Sequence, residues 1–247
     1  MVLAIKLDNV STVYEGEKRP AIRDITLSIR EGEIVYVVGP NAAGKTTLLE
    51  TINGLLPVFR GSVRVLGLDV RKHGRKVRCQ IGYVPQDFMV NSNEPYRTID
   101  VVLMGRCGKV GVLRRLSKVD KEKAIEAMKL LGIEDLANRP IGKLSGGQQQ
   151  KAMIARALAK DPKILLLDEP FSNLDPESRE RLSELISRLN KERNVTVVVV
   201  THDVQQINNS CSRIVVMNNG RIIADGKLED IVEAAEKILP INFWRSL

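Results

Sequence analysis

The sequence lacks an apolar run long enough to cross a bilayer. Its longest uninterrupted apolar stretches, at 34–38 and 197–200, fall far short of the roughly 20 residues that span the hydrocarbon core. The only candidate for an export signal is the start of the chain, where Lys6 and Asp8 interrupt the apolar pattern. We therefore expect a chain that carries no export signal and does not cross a membrane by itself.

Cysteine is also scarce, with three residues in 247. Cys79, Cys107 and Cys211 are widely separated and do not form a metal-ligand spacing, which fits buried or incidental thiols in a reducing compartment. The sequence has no fixed-period repeat, no low-complexity tail and no long heptad arm, which excludes solenoid and coiled-coil classes. The chain is therefore expected to be globular, with a sizeable core.

Basic side chains outnumber acidic ones, 38 to 30. The formal net charge of +8 favours anionic partners such as a nucleotide, nucleic acid, phospholipid headgroups or an acidic protein face. The densest basic run, at 71–78, has no interleaved aromatic residues of the kind that stack on bases. We interpret this run as a solvated loop and helix start, and charge alone does not choose among the partners.

Two kinds of strand pattern occur along the chain. Alternating apolar and polar residues at 3–8, 25–30 and 63–65 are typical of antiparallel strands with one wet face. Mainly apolar stretches favour parallel strands that are covered on both faces, and they occur at 34–38, 164–167, 195–200 and 214–217. The sequence therefore predicts an α/β fold that combines both kinds of sheet.

No strand pattern occurs between 86 and 160. Thr98 is placed to cap a helix that follows it, and Ala124, Met128 and Leu131 share one helical face before Gly132, a typical stop residue. This block is predicted to be a helical insertion.

The stretch 39–47 contains almost nothing that could fill a core. It lies between a buried strand and a helix, and it matches G-x-x-x-x-G-K-[ST] in the context that this pattern requires. Its glycines let the main chain approach a ligand, so that successive N–H groups and the positive end of the helix surround phosphate oxygens. We predict that the loop binds ATP through Gly39, Pro40, Asn41, Ala42, Ala43, Gly44, Lys45, Thr46 and Thr47.

Lys45 and a metal ion must assist the backbone of this loop. A helix end contributes on the order of 1 kcal/mol, whereas a micromolar ligand requires about 8 kcal/mol. We therefore assign Lys45 to the β- and γ-phosphates and the Thr46 hydroxyl to Mg²⁺.

Two acidic residues end a second buried strand. Asp168 and Glu169 follow the apolar stretch at 164–167, and ligands of open parallel sheets lie beyond the carboxyl ends of the strands. Asp168 is a candidate metal ligand, and Glu169 is a candidate for orienting or deprotonating the attacking water. His202 follows the strand at 195–200; it is placed either to donate to the γ-phosphate and hold Glu169 or the water, or to serve as a structural histidine.

A second glycine-containing motif, LSGGQQQKAMIARAL at 144–158, precedes ILLLDEPFSNLD at 164–175 and VTHD at 200–203. Together with the phosphate loop, and in this order, these motifs resemble those of the nucleotide-binding subunits of ABC transporters, and the resemblance covers nearly the whole chain. It implies a P-loop NTPase (RecA-like) parallel-sheet core with an N-terminal antiparallel β subdomain and an inserted α-helical subdomain. The antiparallel β subdomain and the first part of the ATP-binding core, with the phosphate loop, would occupy 1–86. The helical subdomain with the LSGGQ motif would occupy 87–160, and the remainder of the core 161–247.

The residues LSGGQ at 144–148, here called the signature segment, are expected to form a second anion site. Ser145, Gly146 and Gly147 open a helix whose alanines face inward, so N–H groups and a hydroxyl are expected to point outward. In the family this end, which includes Gln148, caps the γ-phosphate held by the opposite subunit. The resemblance therefore implies that ATP joins two subunits.

The resemblance assigns roles to further residues. It implies that Gln86 senses Mg²⁺ and the γ-phosphate, that Asp175 contacts the other subunit, and that His202 lies beside the γ-phosphate. Tyr14 would stack on adenine. The sequence departs from the family at Ala42, a position that is often glycine, where a methyl group limits backbone freedom. Because the acidic and polar catalytic positions are filled, we expect an active ATPase.

These features favour a transport ATPase that works as a dimer, expected to be a homodimer, on separate transmembrane permease subunits. It would be cytoplasmic and peripheral on the inner face of the cell membrane, held there only by its partners. The alternative is an ABC-type ATPase in nucleic-acid maintenance or cofactor assembly, which the basic charge favours. The chain has no zinc cysteines, heptad arms or second cassette, so no nucleic-acid partner is expected. A GTPase is disfavoured because no N-K-x-D motif follows the phosphate loop.

The cargo is indicated only indirectly. The stretch TIDVVLMGRCGKVG at 98–111 resembles importers of metal cations and of metal chelates such as siderophores or cobalamin. In the family this segment contacts the membrane subunit, so the resemblance indicates the membrane partner rather than directly the cargo. We predict import of zinc, manganese or iron, with metal chelates and other cargoes as the alternative.

Overall fold

The computed structural model describes residues 2–88, 91, 93–111, 114–203, 207, 211–227 and 230–231. Its strands are β1 Leu3–Thr12, β2 Ile22–Arg30, β3 Ile34–Val38, β4 Val58–Val65, β5 Leu68–Asp69, β6 Ile81–Val84, β7 Ile164–Asp168, β8 Thr196–Thr201, β9 Arg213–Asn218 and β10 Arg221–Gly226. Its α-helices are α1 Lys45–Ile52, α2 Val70–Gln80, α3 Thr98–Val110, α4 Lys118–Leu130, α5 Gly146–Ala159 and α6 Pro176–Arg193.

The N-terminal part forms a four-stranded antiparallel sheet in the order β2-β1-β4-β5. Ile5 pairs with Val65 and Leu7 with Val63, and all four side chains are buried in one apolar cluster. The antiparallel strands predicted from the period of two are therefore confirmed.

The second sheet has six strands in the order β10-β9-β3-β8-β7-β6. Strands β6, β7, β8, β3 and β9 are parallel, and β10 pairs antiparallel with β9. Along β3, Val35 and Val37 pack on one side of the sheet while Ile34, Tyr36 and Val38 pack on the other. Each such buried side chain contributes about 1.5–3 kcal/mol. The parallel sheet covered on both faces is confirmed.

Helices α3, α4 and α5 form the insertion, and their apolar side chains share one cluster with a face of the parallel sheet. The helices α3 and α5 approach closely, because a Cβ on Gly105 would lie 2.0 Å from the carbonyl oxygen of Arg156. The helical insertion is confirmed. Its boundaries at 87 and 160 stay a prediction, and the predicted final unit, 161–247, extends over 232–247, which lie outside the described residues.

Two local predictions were wrong. Thr98 does not cap α3: Arg97 occupies the cap position, and the buried Thr98 hydroxyl donates to the carbonyl of Arg139 at 2.9 Å. The basic run at 71–78 is solvated and helical, as expected in part, but the predicted loop is wrong, because the whole run lies within α2, which has one non-helical residue at His73. By contrast, Gly132 follows the end of α4 at φ +62°, as expected of a stop residue.

None of the helices in the described ranges combines the length and the hydropathy that crossing a membrane requires.

Candidate functional site

The loop between β3 and α1 has glycines where a side chain would not fit. A Cβ on Gly39 would lie 2.2 Å from the carbonyl oxygen of Met217. Gly44 has φ +95°, and its Cβ would lie 2.8 Å from Cγ2 of Ile22. The loop is therefore held against β9 and the antiparallel sheet by close main-chain contacts.

Ala42, where the sequence departs from the motif that it resembles, is exposed and has φ +62°. This is the left-handed region, which costs a residue with a Cβ about 1–2 kcal/mol. The loop therefore keeps the backbone shape that glycine would give, at the expense of local strain.

The side chain of Lys45 is buried at this loop, with 7% of the residue exposed. Its Nζ donates to the carbonyl oxygens of Gly39 at 2.8 Å and Pro40 at 3.0 Å. Burial lowers the pKa of the Lys45 ammonium, and the carboxylates of Glu169 and Asp168 oppose that shift. The cation is thus held inside the concave side of the loop, close to two acidic groups.

Helix α1 begins at this loop without a side-chain cap, because its N-cap residue is Gly44. The first N–H groups of a helix have no intrahelical acceptor, and they carry the positive end of the helix dipole. The start of α1 therefore offers main-chain donors to an anion.

Asp168 and Thr46 are joined at the end of β7, where the Thr46 hydroxyl donates to Oδ2 of Asp168 at 2.6 Å. Oδ1 of Asp168 is buried and has no hydrogen-bond partner in the described part of the chain. Burial raises the pKa of Asp168 to about 6, and the neighbouring Glu169 adds to that rise. An oxygen donor set that includes an unpaired buried carboxylate oxygen fits Mg²⁺.

Glu169 follows Asp168 and is buried with a backbone φ of +48°. Its Oε1 accepts from the main-chain N–H of His202 at 2.8 Å and lies 2.6 Å from Nδ1 of the same residue. Thr201 donates to Oε2 at 3.3 Å. The structure thus brings Glu169 and His202 together.

The signature segment forms the exposed start of α5. The Ser145 hydroxyl accepts from the N–H of Gln148 at 3.3 Å, and the Ser145 N–H donates to Oε1 of Gln148 at 3.1 Å, forming a capping box. The sequence predicts that this hydroxyl points outward, and the structure shows that it also caps its own helix. Its oxygen caps its own helix, while its proton remains to be donated.

Three other predicted residues lie near the ends of elements. The Tyr14 hydroxyl contacts the Thr47 hydroxyl at 3.0 Å and Oε2 of Glu50 at 3.1 Å. Asp175 caps α6 by accepting from the N–H of Ser178 at 2.9 Å. Gln86 is exposed beyond β6, and within the described ranges no hydrogen bond joins it to the residues of the phosphate loop or to Asp168.

Gln150 was not identified from the sequence, yet it is 1% exposed and its Nε2 donates to the carbonyl of Pro170 at 3.2 Å. It shares a helical stripe with the buried residues Ile154 and Ala157. A polar side chain within an inward-facing stripe was the pattern that could have identified it.

The comparisons with known proteins agree with this geometry. Residues 22–172 match the family model described as ABC transporter. The chain is 40% identical to the manganese transport system ATP-binding protein MntB of Bacillus subtilis, over 92% of this chain and 88% of that protein. It is 38% identical to the methionine import ATP-binding protein MetN 1 of Oceanobacillus iheyensis, over 97% of this chain and 71% of that protein.

Solved structures give the same result. An ATP-binding cassette in a dimeric post-hydrolysis state with ADP and phosphate is 32% identical, with a TM-score of 0.78 over 91% of this chain and 98% of that chain. An inward-facing metal-chelate type ABC transporter is 30% identical, with a TM-score of 0.78 over 93% of this chain and 85% of that chain. The chain therefore belongs to the ABC transporter family, as an ATP-binding cassette that hydrolyses ATP.

The strain at Ala42 gives a direct prediction. Ala42→Gly should bind ATP as the parent does and raise the free energy of unfolding by up to about 1 kcal/mol, because glycine adopts a positive φ without strain. Chemical denaturation and ATP titration measure both quantities.

The matched control is Ala43→Gly. Ala43 is buried in the core beside this loop, so the loss of its methyl group should lower the free energy of unfolding by about 1 kcal/mol. If Ala42→Gly destabilised the protein as much as Ala43→Gly, the left-handed conformation would not be a source of strain.

Proposed function

We propose that this chain is the ATPase of an importer for a divalent metal cation, and that it works as a homodimer on two transmembrane permease subunits. The observation that carries the site assignment is the convergence of Lys45, Thr46, Asp168 and Glu169 at one edge of the parallel sheet. The subunit is held at the cytoplasmic face of the membrane by its permease partners alone.

The nucleotide site uses the whole loop from Gly39 to Thr47. Its main-chain N–H groups bind the phosphate oxygens, and Lys45 exchanges its two carbonyl acceptors for the β- and γ-phosphates. Tyr14 stacks on the adenine. The contacts of Lys45 with Gly39 and Pro40 support this proposal, because they already hold the ammonium in the concave side of the loop.

Mg²⁺ would be held by Thr46, Asp168 and Gln86. When bound, the ion supplies charge neutralisation at the β- and γ-phosphates. The unpaired, buried Oδ1 of Asp168 supports this assignment, because a carboxylate with a raised pKa is stabilised in its charged form by a cation.

Glu169 is the proposed catalytic base. Its carboxylate orients the attacking water and accepts the proton from it, a role worth about 10²–10⁴-fold in rate. His202 holds that carboxylate through its main-chain N–H and Nδ1, and it directs Nε2 to the γ-phosphate.

The second half of the site comes from the other subunit. Ser145, Gly146, Gly147 and Gln148 at the start of α5 cap the γ-phosphate through N–H groups and the Ser145 proton. The exposure of this helix end supports the proposal. Asp175 lies at the same interface, where its cap fixes the start of α6.

Glu169→Gln tests the catalytic site. With ATP and Mg²⁺ the variant should lose at least 100-fold in the rate of hydrolysis and elute as a stable dimer, because ATP then remains between the subunits. Size-exclusion chromatography with light scattering measures the dimer, and phosphate release measures the rate.

Glu180→Gln, which removes an exposed carboxylate from α6, is the matched control and should behave as the parent. Chelation of Mg²⁺ should abolish hydrolysis in the parent. A Glu169→Gln variant that hydrolyses ATP at the parent rate would exclude Glu169 as the base.

A basic groove between α2, α3 and α5 is the proposed contact with the permease. Its volume is about 350 Å³, and its lining includes the exposed apolar side chains of Leu55 and Met104. Arg75, Arg78 and Arg156 also line it, and no acidic residue does so within the described ranges.

Arg156 gives this groove its preference for an acidic partner. Burial lowers the pKa of its guanidinium, and in the part of the chain that the structure describes its side chain has no hydrogen bond or ion pair. A partly buried charge without a partner is costly, so a permease segment that brings a carboxylate into the groove would relieve that cost. The occupant we propose is an apolar segment with acidic side chains.

The double variant Arg75→Glu, Arg78→Glu tests this contact. It should reduce copurification with the permease at least tenfold, because it places like charges opposite the acidic segment. ATP binding by the isolated subunit should not change. Lys72→Glu, Lys76→Glu, on the same helix but outside the groove, should retain the permease; equal losses in both variants would exclude a specific role for the groove.

The cargo assignment rests on the identity with the manganese transport protein MntB. Cells from which this chain has been deleted should regain uptake of radioactive Mn²⁺ when the parent chain is expressed in them. Expression of the Glu169→Gln variant should not restore that uptake. Uptake of Zn²⁺, Fe²⁺, a ferric siderophore and methionine is measured in the same cells. Restoration of methionine or siderophore uptake without Mn²⁺ uptake would overturn the assignment and favour the alternatives.

A further inference from the structure

Gln150 connects the signature helix to the catalytic turn of the same chain. Its side chain lies two residues beyond Gln148 on α5 and is almost fully buried. Its Nε2 donates to the carbonyl of Pro170, the residue that follows Glu169. The start of α5 is therefore tied by a side chain to the peptide next to the proposed base.

This hydrogen bond is retained at an energetic cost. Oε1 of Gln150 is buried and has no hydrogen-bond partner in the described part of the chain. An unsatisfied buried acceptor costs about 1–3 kcal/mol, and an apolar side chain of the same volume would avoid that cost. Core packing alone therefore does not explain a glutamine at this position.

The segment on which Gln150 acts is compact and strained. Glu169 has a positive φ, and its carbonyl accepts from the Ser172 hydroxyl at 3.0 Å. A Cβ on Gly147 would lie 3.0 Å from the carbonyl oxygen of Asn173. The start of α5 and the segment 169–174 therefore have little room to move independently.

We propose that Gln150 is a positioning residue that transmits the state of the signature end of α5 to Glu169 of the same chain. This inference rests on the proposed function, in which that end binds the nucleotide of the other subunit. When the other subunit holds ATP, α5 is fixed, and Gln150 fixes the peptide beside Glu169. Hydrolysis in one site then depends on nucleotide in the other.

Gln150→Met tests this link, because methionine keeps the side-chain volume but does not donate to Pro170. The rate of ATP hydrolysis by the purified full chain is measured against ATP concentration. The parent should show a Hill coefficient above 1, and the variant about 1. The maximal rate should fall about tenfold with little change in the ATP concentration at half-maximal rate.

Gln149→Met is the matched control. The Nε2 of Gln149 donates to the carbonyls of Ile141 and Leu144, so its hydrogen bonds stay within the insertion. This variant should keep the parent Hill coefficient and rate. Thermal unfolding separates positioning from folding, because Gln150→Met removes an unsatisfied acceptor and should not lower the melting temperature.

Dimer formation distinguishes this inference from the proposed function. Glu169→Gln and the double variant Glu169→Gln, Gln150→Met should both form the ATP-bound dimer. If Glu169→Gln itself formed no dimer, the proposed function would fail. The role of Gln150 would be excluded if only the double variant failed to dimerise. It would also be excluded if Gln150→Met kept the parent rate and Hill coefficient, or if the Hill coefficient of the parent were 1.

Discussion

The desolvation of charge at the carboxyl edge of the parallel sheet is the constraint on which the rest of the site depends. Asp168, the last residue of β7, is fully buried, and burial raises its pKa to about 6. The same edge holds the ammonium of Lys45, whose pKa is lowered by burial. Neither group is well solvated by water, so each is stabilised by opposite charge that the fold or a ligand supplies. The fold itself thus creates the electrostatic field in which the proposed phosphate would bind.

The groups that form this site come from parts of the chain that lie far apart in sequence. The loop at 39–47, the strand end at 168–169 and the strand end at 201–202 converge because β3, β7 and β8 are parallel neighbours. The signature end of α5 belongs to the inserted helices and is exposed. In the proposed function one chain therefore holds two complementary half-sites, and a twofold dimer would bring each half opposite its counterpart.

Most of the fold and the central residues of the site could be predicted from the sequence, because their physical basis is local. The glycine spacing of the phosphate loop and the apolar strands that end in Asp168 and His202 are visible in the order of residues. The cap of α3 was mispredicted because the Thr98 hydroxyl is used by Arg139, 41 residues away. The helical stripe could have marked Gln150 as a buried polar residue, but its contact with Pro170, like the burial of Arg156, comes from neighbours that only the packed structure brings together.

The two carbonyl acceptors of Lys45 have a thermodynamic consequence for the catalytic cycle. Because the ammonium of Lys45 donates to two carbonyl oxygens of its own loop, a phosphate bound as proposed would exchange one set of partners for another, and its net gain in affinity would be smaller than the number of phosphate contacts suggests. In the proposed cycle the same exchange runs in reverse as product departs, and Lys45 regains its two carbonyl partners. The internal hydrogen bonds of the loop therefore compete with every phosphate ligand, product as well as substrate.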